Sequence, residues 1–565
     1  MNNNLKTPYE NGKIPFNIYP RPTLKRNSFL NLNGKWDFKV YLKEKKVFDG
    51  KILVPMPPES HASLVNKRFN KKAVLVYETT FKIQENFVND NIILHFGAVD
   101  NICEIYINNK RVGEHIGGYL PFEFNIKNHI KLGKNKIRVI VTDTTDISMC
   151  YGKQKQKRGG MWYTPTSGIW QTVWLESTPK NYISGLKITT NLKGATIKVF
   201  GGEKEKTLIL EDGTSYSFKG DSIKITLENP RLWTPEEPNI YNFKIISGKD
   251  EISSYFALRT IGLRKGNKPC TLLNNKPYFF NGLLDQGYYS DGIYTPYSEK
   301  GYLDDILKMK SLGFNMLRKH IKIEPEIFYY YCDVYGMAVF QDFVNNGKYS
   351  FLIDTALPTV AFKKGIRHIA SKKQKEHFYK TGEKMVEMLY NHPSVVEYTI
   401  FNEGWGQFKD KNIYDHFKAL DSTRLYDTAS GWFYEEKSDF ESHHVYFKPI
   451  KIKGKKDKAL YLSEFGGYSY KLDYHSFNLD KTYGYKNFYS KEKFENGLVN
   501  LYKNEVLPAI NQGLCATVLT QVSDVEDETN GLLTYDRQVL KIEKDLLKPI
   551  FSEMQEAFLK HNKTK

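Results

Sequence analysis

The chain has 565 residues, 40% of them hydrophobic and 14% aromatic, which is enough for two to four domains with full cores and excludes global disorder. Its formal net charge is +18. The lysines are scattered, with only short clusters such as Lys451–Lys458 and no zinc-finger or RNA-binding spacing, so charge alone is no ground for a nucleic-acid partner.

The first residues, Met1 to Lys6, lack the apolar core of a secretory signal. From there to about residue 180 the sequence is dense in short alternating or buried runs, at Lys35–Val40, Ala73–Ile83, Ile92–Phe96, Cys103–Ile107, Lys136–Val141 and Trp170–Leu175. Turn signals such as Asn108-Asn109 and Gly117-Gly118 separate them, which predicts an antiparallel β-sandwich over 1–180. Residues 181–264 form a second β block, with strands expected at Gly185–Thr190, Thr196–Phe200, Ser222–Leu227 and Tyr241–Ile246. At about 85 residues it fits a small immunoglobulin-like sandwich.

The pattern changes over 265–565. Apolar runs now alternate with amphipathic stretches such as Leu303-Ile306-Leu307 and Phe328-Tyr331-Cys332-Tyr335, whose spacings of three and four give one apolar helix face. Eight candidate strands can be marked: Tyr278–Leu283, Asn315–Arg318, Ala338–Asp342, Val395–Asn402, Arg424–Ser430, Ser442–Tyr446, Ala459–Glu464 and Thr517–Gln521. Eight strands with intervening helices predict a (β/α)8 TIM barrel. A long connection, Asn345 to Gln374, follows the third strand on the side where such barrels keep their chemistry.

Two of these strands end alike. The run Val395–Phe401 stops in Asn402-Glu403-Gly404, and the run Ala459–Ser463 stops in Glu464-Phe465-Gly466. Each delivers a carboxylate to the C-terminal tip of a buried strand. Paired carboxylates are what glycoside hydrolysis needs: an acid to protonate the leaving oxygen, and a carboxylate about 5–5.5 Å away to attack the anomeric carbon with net retention. Along the sixth strand side chains alternate, so only one of His443 and His444 faces inward; His444 shares parity with Tyr446. Trp405 and Trp432, just past the fourth and fifth strands, are candidates to stack on a sugar face. Asp285 and Gln286 are candidate rim contacts. His443, His444, Asp342 and Glu403 could converge on a metal, but no tight ligand spacing supports one. No cofactor is expected, with a divalent cation the minor alternative.

Phe401-Asn-Glu-Gly-Trp405 and Ser463-Glu-Phe-Gly-Gly467 resemble the two catalytic motifs of glycoside hydrolase family 2, the family of β-galactosidases, β-glucuronidases and β-mannosidases. Leu30-Asn-Leu-Asn-Gly-Lys-Trp36 and Ser167-Gly-Ile-Trp-Gln-Thr-Val-Trp-Leu-Glu176 resemble the first and last strands of its sugar-binding jelly-roll domain. Leu232-Trp-Thr-Pro-Glu-Glu-Pro-Asn-Ile-Tyr241 resembles its immunoglobulin-like domain, and Asn391-His-Pro-Ser-Val395 the approach to its fourth barrel strand. The resemblance implies a jelly-roll β-sandwich, an immunoglobulin-like sandwich and a catalytic barrel, with Glu403 as acid/base and Glu464 as nucleophile. It further implies that Asn402 contacts the sugar 2-hydroxyl and that Tyr446 orients Glu464. Arg318 and His320 stand where the family often has Arg-x-Ser-His, shortened here by one residue. Asp342, in Phe340-Gln-Asp-Phe343, resembles the Gln-Asp pair of the mannosidase-like branch and would take hydroxyl contacts.

For the sugar, the glucuronidase branch uses an Asn-x-Lys pair after the eighth strand. Here that stretch is Glu528-Thr-Asn-Gly531, without the lysine and with an acid that would repel a uronate, although Lys348 could supply a cation from elsewhere. The expected activity is therefore a retaining exo-β-glycosidase of β-galactosidase type. The alternatives are β-glucuronidase, β-mannosidase or α-L-arabinopyranosidase specificity, or, from another class, a non-catalytic carbohydrate-binding protein. The expected partner is a carbohydrate, with no nucleic acid and no membrane, since no apolar run reaches the roughly 18 residues of a span; a homo-oligomer is allowed. Five cysteines without a C-x-x-C pair predict free thiols and a cytoplasmic location.

Overall fold

The computed structural model describes residues 5–10, 14–144, 146–356 and 369–563. Residues 1–4 and, within the long connection after the third barrel strand, residues 357–368 lie outside the described residues.

A parallel eight-stranded sheet positions the site. Its strands are β1 (Phe280–Asp285), β2 (Met316–Lys319), β3 (Ala338–Asp342), β4 (Val395–Asn402), β5 (Leu425–Ser430), β6 (Phe440–Val445), β7 (Ala459–Gly466) and β8 (Leu514–Thr520). Ladders join β1 to β2, β2 to β3, β3 to β4, β4 to β5, β6 to β7, β7 to β8 and β8 back to β1. The seam between β5 and β6 is held instead by the Asp439 N–H on the Tyr426 carbonyl (2.9 Å) and by Ser442 Oγ on the Ala429 carbonyl (3.2 Å). The strands read as continuous apolar runs because both faces are covered. Inside, Phe280, Phe340, Phe440 and Tyr461 meet ring to ring at 5.2–6.1 Å and fill the barrel beneath the carboxylates.

Helices α1 (Lys300–Ser311), α2 (Glu326–Tyr335), α3 (Lys372–Leu389) and α4 (Ile413–Leu420) follow the first four strands; α5 (Lys491–Leu501) follows β7 and α6 (Lys548–Asn562) follows β8. Strands β5, β6 and β7 are joined by loops without a helix, a departure from the regular alternation expected. Gly336 closes α2 with φ +73, a left-handed C-cap that glycine adopts without a Cβ penalty.

Ahead of the barrel stand two sandwiches. The first packs a six-stranded antiparallel sheet on a four-stranded one around Trp36, Phe38, Tyr77, Leu94 and Val139. Its strands alternate buried and exposed residues, as in Gly34–Leu42, because one face of each sheet meets water. The second packs a three-stranded sheet (Ile183–Thr190, Gly194–Gly201, Ser222–Thr226) on a four-stranded one (Glu205–Leu210, Ser215–Lys219, Tyr241–Ser247, Asp250–Phe256) around Ile197, Leu208 and Ile245.

The described N-terminal residues do not join the first sandwich. They lie along the barrel, where Thr7 bonds Asp291 and Tyr9 bonds Asp304. All five cysteines are free and buried. No described helix is long and apolar enough to cross a membrane.

Candidate active site

Glu403 follows β4 with φ +51. This is left-handed backbone, costing a non-glycine residue roughly 1–2 kcal/mol. It is held there by its own N–H on the Ser430 carbonyl (3.0 Å) and by Trp432 Nε1, which donates to its carbonyl at 2.9 Å. Gly404, next along with φ +69, has no room for a side chain: a Cβ would lie 2.0 Å from Phe433 Cδ2. The turn thus explains why a strand tip ends in Asn-Glu-Gly.

Glu464, near the end of β7, faces Glu403. His444 Nδ1 lies 2.8 Å from Glu403 Oε1 and 3.5 Å from Glu464 Oε2, and one oxygen of each carboxylate and this nitrogen all fall within 4.8 Å of one another. His444 Nε2 rests on Ser430 Oγ at 3.1 Å. His443 turns away, to the Tyr434 hydroxyl at 3.1 Å.

Arg318, fully buried at the end of β2, ties the site together. Its Nε donates to Asp342 Oδ1 (2.9 Å), Nη1 to the Ser463 carbonyl (2.9 Å) and to Glu464 Oε1 (3.2 Å), and Nη2 to Asn402 Oδ1 (2.8 Å). One guanidinium thus spans the tips of four strands, a geometry that suits its rigid fork. With the Asn402 oxygen engaged, its amide nitrogen is left to donate. The other Asp342 oxygen holds His320 Nδ1 at 2.7 Å. Tyr446 donates to Glu464 Oε2 at 2.5 Å.

The charges follow this wiring. Burial pushes the Glu464 carboxyl up, but His444, Arg318 and His320 and the Tyr446 hydrogen bond outweigh it and hold the group below its ordinary range. Burial likewise opposes ionisation of Asp342, and Arg318 and His320 overcome it. Burial pulls the His320 imidazole below its ordinary value against the attraction of Asp342. Glu464 is therefore an ionised carboxylate in a dry setting.

The fold brings Glu403, Glu464, Asn402, Tyr446, Arg318, His320, Asp342, His444 and Trp432 together. Trp432 meets His444 edge to face at 5.5 Å. Asp285, the remaining candidate, has its oxygens on Lys319 Nζ (2.7 Å) and the Gly287 N–H (2.9 Å), and Lys319 also pairs with Glu324, so in this structure it braces β1. The metal grouping changes. Asp342 and His443 are engaged elsewhere, and among the described residues those close enough to share an ion are Glu403, His444 and Glu464.

Sequence reasoning expects the two β domains to frame the sugar pocket but does not single out the residues that the first sandwich brings there. Its segment 148–166 spans the barrel mouth. Tyr151 bonds the Asn345 and Gly347 carbonyls, Arg158 and the Thr164 N–H bond Glu526, and the Tyr163 hydroxyl donates to Glu528 Oε1 at 3.1 Å. Trp162 packs edge to face on Trp405 at 4.8 Å. The signal available was the aromatic run Met161-Trp-Tyr163 in a loop, where large apolar side chains have no reason to sit unless another surface covers them. Tyr485, stacked on Tyr446 at 3.8 Å, gave no signal at all. Away from the carboxylates, a cavity of about 840 Å³ opens between the first sandwich and the barrel, lined by His95, Tyr119, Trp174 and His377; none of the residues around Glu403 and Glu464 borders it.

Comparison with known proteins agrees with this architecture. Residues 65–179 match "Glycosyl hydrolases family 2, sugar binding domain", residues 175–264 match "Glycosyl hydrolases family 2", and residues 266–452 match "Glycosyl hydrolases family 2, TIM barrel domain". The chain belongs to glycoside hydrolase family 2. A β-galactosidase of Thermoanaerobacter pseudethanolicus is 28% identical over 298 residues, covering 47% of this chain and 39% of the relative. The chain spans under two fifths of the length of the first curated relatives it matches. Among solved structures, a β-D-glucuronidase of Dictyoglomus thermophilum has a TM-score of 0.73 at 19% identity, covering 95% of this chain and 98% of that one. A family 2 β-galacturonidase of Eisenbergiella tayi bound to galacturonate has a TM-score of 0.69 at 18% identity, covering 96% and 99%. At these identities the structural likeness speaks for the fold.

Proposed function

We propose that this chain is a retaining exo-β-glycosidase that removes a terminal non-reducing sugar from an oligosaccharide or glycoside by double displacement. The observation that carries the reading is the opposition of Glu403 and Glu464, with an oxygen of each within 4.8 Å of the other. That is near the about 5–5.5 Å of retaining pairs and short of the roughly 6.5–9.5 Å that an inverting pair needs to admit its water.

In the first step Glu464, kept ionised by Arg318, His444 and Tyr446, attacks the anomeric carbon while Glu403 gives its proton to the departing oxygen. The bond to the leaving group breaks and a glycosyl ester on Glu464 forms. In the second, Glu403 takes a proton from water, which attacks the same carbon and returns Glu464 as a carboxylate. Asn402, its oxygen fixed on Arg318, presents its amide to the sugar 2-hydroxyl. Oxocarbenium charge develops between two carboxylates, so the buried site stabilises it without reorganisation.

This chemistry requires no metal. A cation on Glu403, His444 and Glu464 would occupy the nucleophile, so chelation is expected to leave turnover unchanged. For the glycone, the sequence favours a neutral hexoside, galactose first, because Glu528 stands where a uronate would arrive. The pocket weakens that ground: the Glu528 carboxylate is engaged by Gln521 Nε2 at 2.7 Å and by Tyr163 at 3.1 Å.

The test is a panel of nitrophenyl glycosides (β-galactoside, β-glucuronide, β-galacturonide, β-mannoside, α-L-arabinopyranoside), with the anomeric configuration of the first product followed by NMR. The first product is expected to keep the anomeric configuration of its substrate, β for the β-glycosides and α for the arabinopyranoside. An inverted initial product, or no cleavage of any substrate, would sink the reading.

A further inference from the structure

Lys153 belongs to the first sandwich, yet only 7% of it is exposed, and it is delivered to the barrel mouth by a closely fitted backbone. Its carbonyl accepts from the Tyr163 N–H at 3.1 Å. The preceding Gly152, φ +63, sits so near the barrel that a Cβ there would meet Tyr119 Oη at 2.4 Å and the Ile321 carbonyl at 3.1 Å. On the other side Gln154 Nε2 is fixed on Asp100 (3.2 Å) and Tyr119 (3.1 Å). Lys153 therefore lies beside Ile321, the residue after His320, with its ammonium 5.9 Å from the centre of the Trp162 ring. Its charge acts on both His320 and Glu528. His320 is bonded to Asp342, which is bonded to Arg318, which is bonded to Glu464.

The other buried lysines are provided for. Lys319 pairs with Asp285 and Glu324, Lys322 with Glu324 and Lys541 with Asp524, while Lys206 donates to the Gly220 carbonyl. Among the described residues no carboxylate lies within 4.0 Å of Lys153 Nζ and no side-chain hydrogen bond is made by it, yet Nζ is not among the fully buried unpartnered atoms. A buried cation without a counter-ion is costly, and the Trp162 ring beside this ammonium packs on Trp405, two residues past Glu403.

We propose that Lys153 is a specificity-determining residue supplied to the sugar pocket across the domain boundary, and that it pairs with an anionic group of the glycone, the carboxylate of a uronic acid. The inference rests on the reading of Glu403 and Glu464 as a glycosidase pair. It places the missing lysine of the sequence argument in another domain; Lys348, the candidate raised there, is exposed. Glu528 does not stand in the way. Burial pushes its carboxyl up to about 7 against the pull of Lys153, so in mildly acid solution it presents a neutral group.

The experiment compares the full chain with Lys153→Met and Lys153→Arg on nitrophenyl β-D-glucuronide, β-D-galacturonide, β-D-galactoside and β-D-glucoside. The native chain is expected to prefer a uronide over its neutral counterpart. Lys153→Met is expected to lose about 10- to 100-fold in kcat/KM on that uronide, mostly through KM, as for loss of a hydrogen bond to a charged group. The neutral sugars should change by less than about threefold, and Lys153→Arg should recover part of the loss, which a merely structural role would not do. Preference of the native chain for a neutral sugar, or an equal loss on all four substrates in Lys153→Met, overturns the inference and leaves the glycosidase reading intact. If the native chain cleaves none of the four or the other sugars of the panel, the glycosidase reading itself fails and this inference with it.

Discussion

Tyr446 donates its hydroxyl to Glu464 Oε2 at 2.5 Å while standing 2.9 Å from Thr520 Oγ1, and Tyr485 stacks flat on its ring at 3.8 Å. The ring cannot swing away, so the hydrogen bond is fixed before substrate arrives. It is one of the interactions that keep Glu464 ionised against burial. Removing it in Tyr446→Phe takes away a stabiliser of the charged form, so the Glu464 pKa rises. The nucleophile must be ionised to attack, and the acid limb of the kcat/KM profile therefore moves to higher pH. A shift of about one pH unit is expected from one hydrogen bond to a charged acceptor. A pH–rate profile measured on both proteins checks it, and coincident acid limbs would remove Tyr446 from the role of orienter.

Exchange of each carboxylate should give opposite chemical results. In Glu464→Ala no glycosyl ester can form. Azide fits the space left and attacks from that face, giving an α-glycosyl azide from an activated β-glycoside. In Glu403→Ala the ester still forms when the leaving group needs no protonation, but its hydrolysis lacks a base; azide then attacks the ester from the other face and gives the β-glycosyl azide. Activity without azide should fall by at least about 10³-fold in either variant. Product configuration by NMR assigns the two roles, and a β-azide from Glu464→Ala would reverse them.

How far the site could be read from sequence depends on what each residue needs around it. Glu403 and Glu464 were legible because a strand buried on both faces is a long apolar run, and a charge that ends such a run stands out. The bounds of β3 and β4 are as read, since apolar residues begin and stop sharply there. In the sandwiches, Lys45–Val54, Lys110–Ile116 and Glu205–Leu210 escaped notice because much of each strand is charged and exposed or half-buried. Arg318 was legible as a strand-tip residue but not as the hub. Its four acceptors come from β3, β4 and β7, and only closure of the barrel brings them together. Lys153 and Trp162 are harder still, because they lie in one domain and serve another.

Arg318→Met tests the hub. The side chain is fully buried, and its loss leaves Asp342 and Glu464 without their counter-charge. Breaking a buried pair by removing one partner costs about 3–5 kcal/mol, and a clear fall in the thermal midpoint is expected. Arg318→Lys keeps the charge but has no fork to reach Asp342, Ser463, Glu464 and Asn402 at once. It should therefore recover stability better than kcat. Melting curves with kcat on the best substrate of the panel separate the two effects. Equal recovery of both would reduce Arg318 to a counter-ion.

Glu528 should reveal itself in the pH dependence of stability. Burial raises its carboxyl from the ordinary value to about 7. Between the unfolded value near 4.3 and about 7 the native state holds a proton that the unfolded state has lost, so stability falls as pH rises through this window. The loss is complete above about pH 7, and a shift of this size corresponds to roughly 3 kcal/mol. Glu528→Gln keeps the shape, can still accept from Tyr163, and does not titrate. Relative to the native chain it is expected to melt higher at pH 8 than at pH 5, the difference growing from pH 5 to 7 and flattening above. Its amide also faces Gln521, whose Nε2 now donates to the carboxylate at 2.7 Å, so a constant offset between the two proteins at every pH is allowed. Denaturation curves at pH 5, 6, 7 and 8 decide the matter: an offset that does not change with pH would mean that Glu528 stays charged in the fold, and a gain at pH 5 that vanishes at pH 8 would reverse the sign.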